Sequence, residues 1–520
     1  MKYSFRLLKA LIICFFLISP VALFAQSSHE PSSASLSKNE SKDMLSRIEP
    51  AVTTSGSVTI DGRHIDYDAV AGTIPILDQN DQDTTARMGF VAYFKKGVTD
   101  MDMRPITFLY NGGPGSSTVW LHMGCFGPKR VVIDSTIHMH GAPYELVNNQ
   151  YSLLDASDLV FIDMPGTGFG RIEPGHEKDY WGVDEDARAF GQFIMRFITK
   201  YSRWNSPKFV FGESYGTTRS AVLCNLLSDT YNIDLNGVVL LSQILDFGNS
   251  IDGPSGNPGD ERPYELALPT YAATAWYHHK LPEQVTDLTA FLDKVEKFAM
   301  GEYAHALSQG STLDSNTFNQ IAAQLHQYTG LPVAYIKKAN LRIDGGEFEQ
   351  NLLGKQEEVT GRLDTRFSGP VLDPLAQRSY YDPQSSAISG AYIALFNEYV
   401  RKDLKYGKNM VYRPSVYGRM SWDWKHRGGM QVNVMPDLAN AMKTNPKLQV
   451  MLNTGYFDLA TPFYEGIYEL QHLAIPRSLD KNIHYAFYES GHMVYVNVPS
   501  LAQLHKNVKA FINENYSAVQ

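Results

Sequence analysis

Four short, nearly unbroken apolar runs do most to limit what this chain can fold into. They are PITFLY at 105–110, DLVFIDM at 158–164, KFVFG at 208–212 and GVVLLSQIL at 237–245, and strand character returns late in KLQVMLNTG at 447–455 and NIHYAFYESGH at 482–492. Runs of this length without polar alternation suit strands buried on both faces. Helical patterns lie between the early ones. In VDEDARAFGQFIMRFITKY at 183–201, Ala187, Phe190, Ile194, Phe197 and Ile198 recur at helical spacing behind acidic residues that suit a helix N-terminus. TTRSAVLCNLLSDT at 217–230 is a second helix. Strands alternating with helices predict an α/β protein, with a largely parallel central sheet and helices on both faces.

Other segments extend this frame. SVTIDGRHIDYDAV at 57–70 alternates around Asp61-Gly62, a hairpin signal, and GFVAYFKKG at 89–97 adds a strand to the same meander. From 247 to 430 the character changes. GNSIDGPSGNPGDERPYELALP at 248–269 reads as a long Gly/Pro-rich loop. The helical patterns PEQVTDLTAFLDKVEKFAMGEYAHAL at 282–307 and SNTFNQIAAQLHQYTG at 315–330 follow it. This region reads as an inserted, mainly helical cap, dividing a core into 50–246 and 431–520. SLAQLHKNVKAFINENY at 500–516 closes the chain as an amphipathic helix. A length of 520 residues would by itself suggest about three domains, but one α/β core enlarged by insertion fits the pattern better.

The N-terminus carries Lys2, Arg6 and Lys9, an apolar stretch from Leu11 to Ile18, a break at Ser19-Pro20, and small residues between Ala22 and Ala25. This is the pattern of a secretory signal peptide over 1–25, and the run is short for a spanning helix. An uncleaved anchor is the alternative. Residues 26–49 are polar and serine-rich, a disordered leader. The expected location is therefore outside the cytoplasm, periplasmic or extracellular, with no stable membrane insertion once the signal is removed. Taking three cations from a net charge of −9 leaves −12 on the mature chain. Without a Lys/Arg run, such a chain has no electrostatic reason to bind nucleic acid or anionic lipid.

The chemistry centres on KFVFGESYGTTRS at 208–220. Gly212-Glu213-Ser214-Tyr215-Gly216 fits G-x-S-x-G between a strand and a helix, the setting in which a strained turn exposes a serine hydroxyl. A small residue in a tight turn is the plain alternative for Ser214. A nucleophilic serine needs a base, oriented by an acid, in the chain order Ser, Asp or Glu, His. Asp458 follows the run at 447–455, and His492 ends the run at 482–492. Both therefore fall at the carboxyl ends of expected strands, where ligand chemistry collects in open α/β sheets. Each has a bland reading alone, as a turn cap and as a loop histidine. An oxyanion also needs two backbone N–H donors. Tyr215 supplies one, and the Gly-rich turn Asn111-Gly112-Gly113-Pro114-Gly115 after PITFLY can supply the other.

These segments together resemble the serine carboxypeptidase family. Its N-G-G-P-G-x-S pattern is similar to Asn111 to Ser117, its G-E-S-Y to Gly212 to Tyr215, its G-H-M-V to Gly491 to Val494, and its late G-x-x-D-x-x-x-P to GYFDLATP at 455–462. DMPGTGFG at 163–170 resembles a further family stretch and is one residue shorter. The resemblance implies an α/β-hydrolase fold and release of C-terminal residues from peptides that have a free C-terminus. It also implies a triad of Ser214, Asp458 and His492, with oxyanion amides from Gly113 and Tyr215. Asn111 and Glu213 would bind the substrate carboxylate, with Glu213 protonated so that it donates. The chain departs from the family at Ser116 for a cysteine, Leu109 for a tryptophan and Gly216 for an alanine. Cys125 stands for a glutamate that partners the one beside the nucleophile. An esterase or acyltransferase would use the same triad, and a catalytically idle peptide-binding protein is the reading from another class.

Neither a cofactor nor a metal is expected. His138 and His140 could share one face of a strand but have no visible partner, and His278 and His279 would point apart on a helix surface. Cys14 lies in the signal peptide, leaving Cys125 and Cys224. Cys224 lies ten residues beyond Ser214, about 15 Å along a helix at roughly 1.5 Å per residue, whereas Cys125 belongs near the Gly-rich turn at the helix's other end. A disulfide needs Cα atoms within about 7 Å, so two free thiols are expected.

Overall fold

The computed structural model describes residue 45 and residues 48–517, apart from positions 79, 81, 134, 135 and 430. The expected signal peptide and nearly all of the expected leader lie outside the described residues. The leader's last residue, Glu49, is anchored: its carboxylate accepts from the backbone N–H groups of Gly407 and Asn409 at 3.0 Å each.

Strands β1 (Val52–Ile60) and β2 (Arg63–Leu77) pair antiparallel with Ile60 opposite Arg63. Only Asp61 and Gly62, both at positive φ, make the turn, as an Asp-Gly hairpin requires. β3 (Thr84–Lys95) continues the meander. Then come β4 (Ile106–Tyr110), β5 (Asp158–Ile162), β6 (Lys208–Glu213), β7 (Gly237–Leu241), β8 (Gln449–Gly455) and β9 (Ile483–Tyr488). These six are mutually parallel, and the sheet order is β1-β2-β3-β5-β4-β6-β7-β8-β9. A two-residue strand, Arg171–Ile172, joins β3. In register, Tyr110 faces Gly212, Glu213 faces Leu241 and Gly455 faces Tyr488. The carboxyl ends of β4, β6, β7, β8 and β9 therefore form one edge.

The runs that form β4 to β8 are apolar almost throughout because their side chains alternate into two cores, whereas β9 is the edge strand, mostly half-buried and with Tyr485 exposed. Phe108, Val210, Val238 and Leu452 point into one, against helices α1 (Val183–Lys200) and α2 (Tyr215–Tyr231). Leu109, Phe211, Val239 and Met451 point into the other. The run at 237–245 gives a strand only to Leu241, because Ser242 turns to φ 53° and donates its backbone N–H to Asn453 O.

Between β7 and β8 the described chain is largely helical. Helices α3 (Arg262–Tyr277), α4 (Leu288–Phe298) and α5 (Ser315–Thr329) share an apolar cluster of their own with Phe457, Leu459 and Phe463. α6 (Pro383–Lys402) differs, since its Ile388, Tyr392, Phe396 and Val400 pack into the sheet's second core. α7 (Met435–Thr444) joins the first core. One stretch differs from the sequence expectation: 248–269, expected to be loop, is helical from Arg262 onwards and carries Pro269 inside the helix. That helix is buried along nearly its whole length, so packing outweighs the hydrogen bond a proline removes. The pattern at 282–307 is helical from Leu288 onwards, with one π-helical turn, Ala299–Tyr303, within it. α8 (Phe463–Gln471) and α9 (Val498–Ser517) complete the elements used below.

Candidate active site

β6 ends at Glu213 and α2 begins at Tyr215, so Ser214 alone makes the turn, at φ 60° and ψ −131°. A non-glycine residue held there costs on the order of 1–3 kcal/mol and persists only where its surroundings impose it. They do so through Ser214 N, which donates to Leu241 O at 3.0 Å, and Ser214 O, which accepts from Thr217 N at 2.8 Å. Both glycines of the motif are needed for close approach. A Cβ on Gly212 would lie 2.2 Å from Gly216 O, and one on Gly216 would lie 2.9 Å from Tyr110 O. Glu213 and Tyr215 are buried, while Ser214 is half-buried and lines a cavity.

The same cavity is lined by His492. His492 Nδ1 lies 2.8 Å from Asp458 Oδ2. An ionised carboxylate only accepts, so Nδ1 carries the proton and Nε2 is left as the basic nitrogen. Asp458 is held rigidly. Its Oδ1 accepts from the backbone of Ala460 at 2.9 Å and Thr461 at 3.0 Å, and its Oδ2 also accepts from Thr461 Oγ1 at 2.8 Å. The two loops touch because Gly455 has no side chain: a Cβ there would lie 2.2 Å from Ser490 O. The backbone of His492 is fixed by Ser242 Oγ, which donates to its carbonyl at 2.7 Å, and by its own N–H to Leu363 O. Burial acts to lower the imidazole's pKa, but the Asp458 carboxylate outweighs it and holds the ring above its ordinary value.

The Gly-rich turn lies against the elbow. A Cβ on Gly112 would sit 2.4 Å from Tyr215 N, and Gly113 has φ 111°, a conformation that glycine adopts without strain. Tyr215 opens α2, and the first amides of a helix have no partner within it. Gly112, Gly113 and Ser214 line the cavity together. DMPGTGFG braces this turn from below. Asp163 Oδ1 accepts from Thr118 N at 2.9 Å, and its other oxygen fills the space a Cβ on Gly168 would need. Burial pushes the Asp163 carboxyl up to about 7.

Glu213 and Asn111 form the polar floor. Asn111 Oδ1 accepts from Leu121 N at 3.1 Å, which leaves its amide nitrogen for Glu213. Burial, the largest influence, pushes Glu213 up to about 7, against the pull of His492 and of a hydrogen bond from Tyr495. Beneath Asn111 lies a buried ion pair. Arg219 Nε donates to Asp186 Oδ2 at 2.6 Å, and its Nη1 donates to Asn111 O at 2.8 Å. Cys125 is a free, buried thiol whose pKa is raised first by burial and then by the charge of Glu213.

The cavity holds about 770 Å³. Beyond the expected residues it brings in Trp120, Ile388, Ile393 and Met493 as an apolar wall, and Asp252 and Arg362 as a charged pair. None of these was singled out from the sequence. Nor was Tyr495, although it stands only three residues beyond His492. Two histidine readings change. His278 follows the end of α3 and is half-buried, hydrogen-bonding Thr365 O at 2.6 Å, while His279 is exposed. Around His138 the described backbone is bends and coil rather than strand, and its Nδ1 bonds Met139 O.

A sequence profile of the family described as serine carboxypeptidase matches residues 81–498. Serine carboxypeptidase-like 45 of Arabidopsis thaliana is 25% identical over 172 residues, 31% of this chain and 34% of that protein. The pheromone-processing carboxypeptidase KEX1 of Saccharomyces cerevisiae is 23% identical over 365 residues, 63% of this chain and 47% of that protein. The chain thus spans about a third to a half of the length of these curated relatives. The crystal structure of a prohormone-processing carboxypeptidase from Saccharomyces cerevisiae overlays with a TM-score of 0.52 at 15% identity, covering 86% of this chain and 92% of that one. That overlay, with the parallel sheet and its flanking helices, makes the fold an α/β-hydrolase fold.

Proposed function

The chain belongs to the serine carboxypeptidase family, and from that membership we propose that it is an exported serine-type enzyme releasing C-terminal residues from peptides. Ser214 Oγ attacks the scissile carbonyl carbon while His492 Nε2 takes its proton. The tetrahedral oxyanion is met by the amides of Gly113 and Tyr215. Its collapse breaks the C–N bond, and His492 returns the proton to the leaving amine. Water, activated by the same nitrogen, then cleaves the acyl-enzyme. Asp458 keeps His492 in the required tautomer. Asn111 and a protonated Glu213 hold the carboxylate of the leaving residue, which restricts cleavage to the chain end.

One observation carries this reading: the strained Ser214, the His492–Asp458 pair and a Glu213 raised to about 7 converge on one cavity. The export pattern of residues 1–25 supports a periplasmic or extracellular location, and among the described residues no helix is long and apolar enough to cross a membrane.

The test is to offer purified protein a blocked dipeptide with a free C-terminus, its amide and a matching ester. Preferential release of the C-terminal residue from the free acid supports the reading. Equal turnover of acid and amide would leave an esterase or acyltransferase, and no labelling of Ser214 by a fluorophosphonate would leave a binding protein.

A further inference from the structure

A carboxyl that must donate to a substrate carboxylate has to be both protonated and correctly turned. Burial answers the first requirement in Glu213. The second is met by a residue far away in sequence. Tyr495 Oη donates to Glu213 Oε2 at 2.9 Å across 282 residues, and Tyr495 is 2% exposed. Room for its ring is made on the opposite side by Gly124, where a Cβ would lie 2.8 Å from the Tyr495 ring and 2.3 Å from Tyr392 Oη. The next residue, Cys125, is a small thiol, and the Asn149 amide binds its carbonyl rather than Glu213. Glycine and cysteine at these positions leave a slot that two tyrosines fill.

We infer that Tyr495 is a positioning residue for the carboxylate clamp, fixing which oxygen of Glu213 faces the substrate; this rests on the carboxypeptidase reading. A protonated carboxyl accepts on its carbonyl oxygen and donates from its hydroxyl oxygen. With Oε2 accepting from the phenol, the proton falls to Oε1, whose hydroxyl can donate even though the Asn111 amide also bonds this carboxyl. The phenol keeps its own proton, because burial and the charge of Glu213 hold its pKa well above the ordinary value. Tyr495 is thus a permanent donor. The other titratable groups bearing on this pair are His492 and Asp458 on the Glu213 side, and Tyr392 and Cys125 on the Tyr495 side.

Two effects of Tyr495→Phe follow. The clamp loses its orientation, so the ratio of kcat/KM for a free-acid peptide to that for its amide should fall about tenfold, through KM. A donor that stabilises the carboxylate form is also removed, so Glu213 holds its proton longer and the alkaline limb for acids moves to higher pH. A merely structural tyrosine would lower acid and amide turnover alike and leave the limb in place. An unchanged ratio with an unmoved limb would overturn the inference, while a wild type indifferent to acid and amide would overturn the carboxypeptidase reading itself. Should the phenylalanine variant not fold, 3,5-difluorotyrosine at 495 keeps the shape and strengthens the donor. The limb should then move to lower pH, and a limb that stays put would equally refute the role.

Discussion

His492 Nδ1 stands 2.8 Å from Asp458 Oδ2, while the carboxylate's other oxygen accepts two backbone amides. The acid cannot rotate away from the base without leaving two N–H groups unpaired. Asp458→Asn should therefore keep its place but present an NH₂ group to Nδ1, moving the imidazole proton to Nε2, the nitrogen that must be bare. We expect kcat to fall roughly 10⁴-fold, with Ser214→Ala at least as severe and the double variant little worse than Ser214→Ala. Steady-state kinetics on folded variants checks this. Asp458→Asn with near-normal turnover would remove Asp458 from the mechanism.

Under the proposed mechanism, Glu213 and His492 should set opposite limbs of the pH profile. The free base requires neutral His492, whose pKa is held above its ordinary value, so activity falls in acid for every substrate. Free-acid peptides also need a protonated Glu213, raised to about 7, so they lose affinity as pH rises through that region. A bell is expected for acids and a simple rise for amides and esters, with limbs that belong to the interacting pair. Glu213→Gln keeps a donor without the charge, and it should flatten the alkaline limb for acids. Identical profiles for acid and amide substrates would remove Glu213 from the clamp.

The sequence made the parallel sheet and the candidate triad legible because both are local. Each of the parallel strands β4 to β8 comes from one largely apolar run. Ser214, Asp458 and His492 each follow such a run, and the order of the runs supplies the order of the residues. What stayed hidden depends on packing between distant segments. Nothing near Tyr495 says that it meets Glu213, since the slot it fills is shaped by Gly124 and Cys125 some 370 residues earlier. Likewise, Pro269 looked like a breaker because helix burial is invisible to a local rule. Ile388 on α6 looked like cap but lines the site from the sheet's own core.

The two thiols sit in different cores. Cys125 packs with Leu109 and Phe211 on one face of the sheet, and Cys224 with Phe108 and Val210 on the other. A disulfide between them would have to pass through the sheet, which the Cα limit of about 7 Å forbids. Denatured, unreduced protein lacking residues 1–25 should titrate with two thiols. Finding none would require a different arrangement of the turn at 121–126 and α2.

His426 joins the loop along the cavity to the sheet's flanking helices. Its Nδ1 lies 2.6 Å from Asp184 Oδ1 on α1, and its Nε2 lies 2.8 Å from Asp437 Oδ2 on α7. With a carboxylate at each nitrogen, both must donate, so the ring is an imidazolium. Burial opposes the charge, but the two carboxylates outweigh it and raise the pKa from 6.5 to about 9. A folded-state pKa raised above the unfolded one gives stability that is complete below about pH 6.5 and is lost as pH climbs through 9. His426→Gln should therefore lower Tm by roughly 2–4 °C at pH 6, with the gap closing towards pH 10. Because Pro414, Ser415 and Tyr417 line the cavity just ahead of this anchor, KM should rise in the same variant at pH 6. Differential scanning measurements on both proteins across pH decide the matter. A Tm gap that does not change between pH 6 and pH 10 would mean that the ring is neutral in the fold and that the loop is held by other contacts.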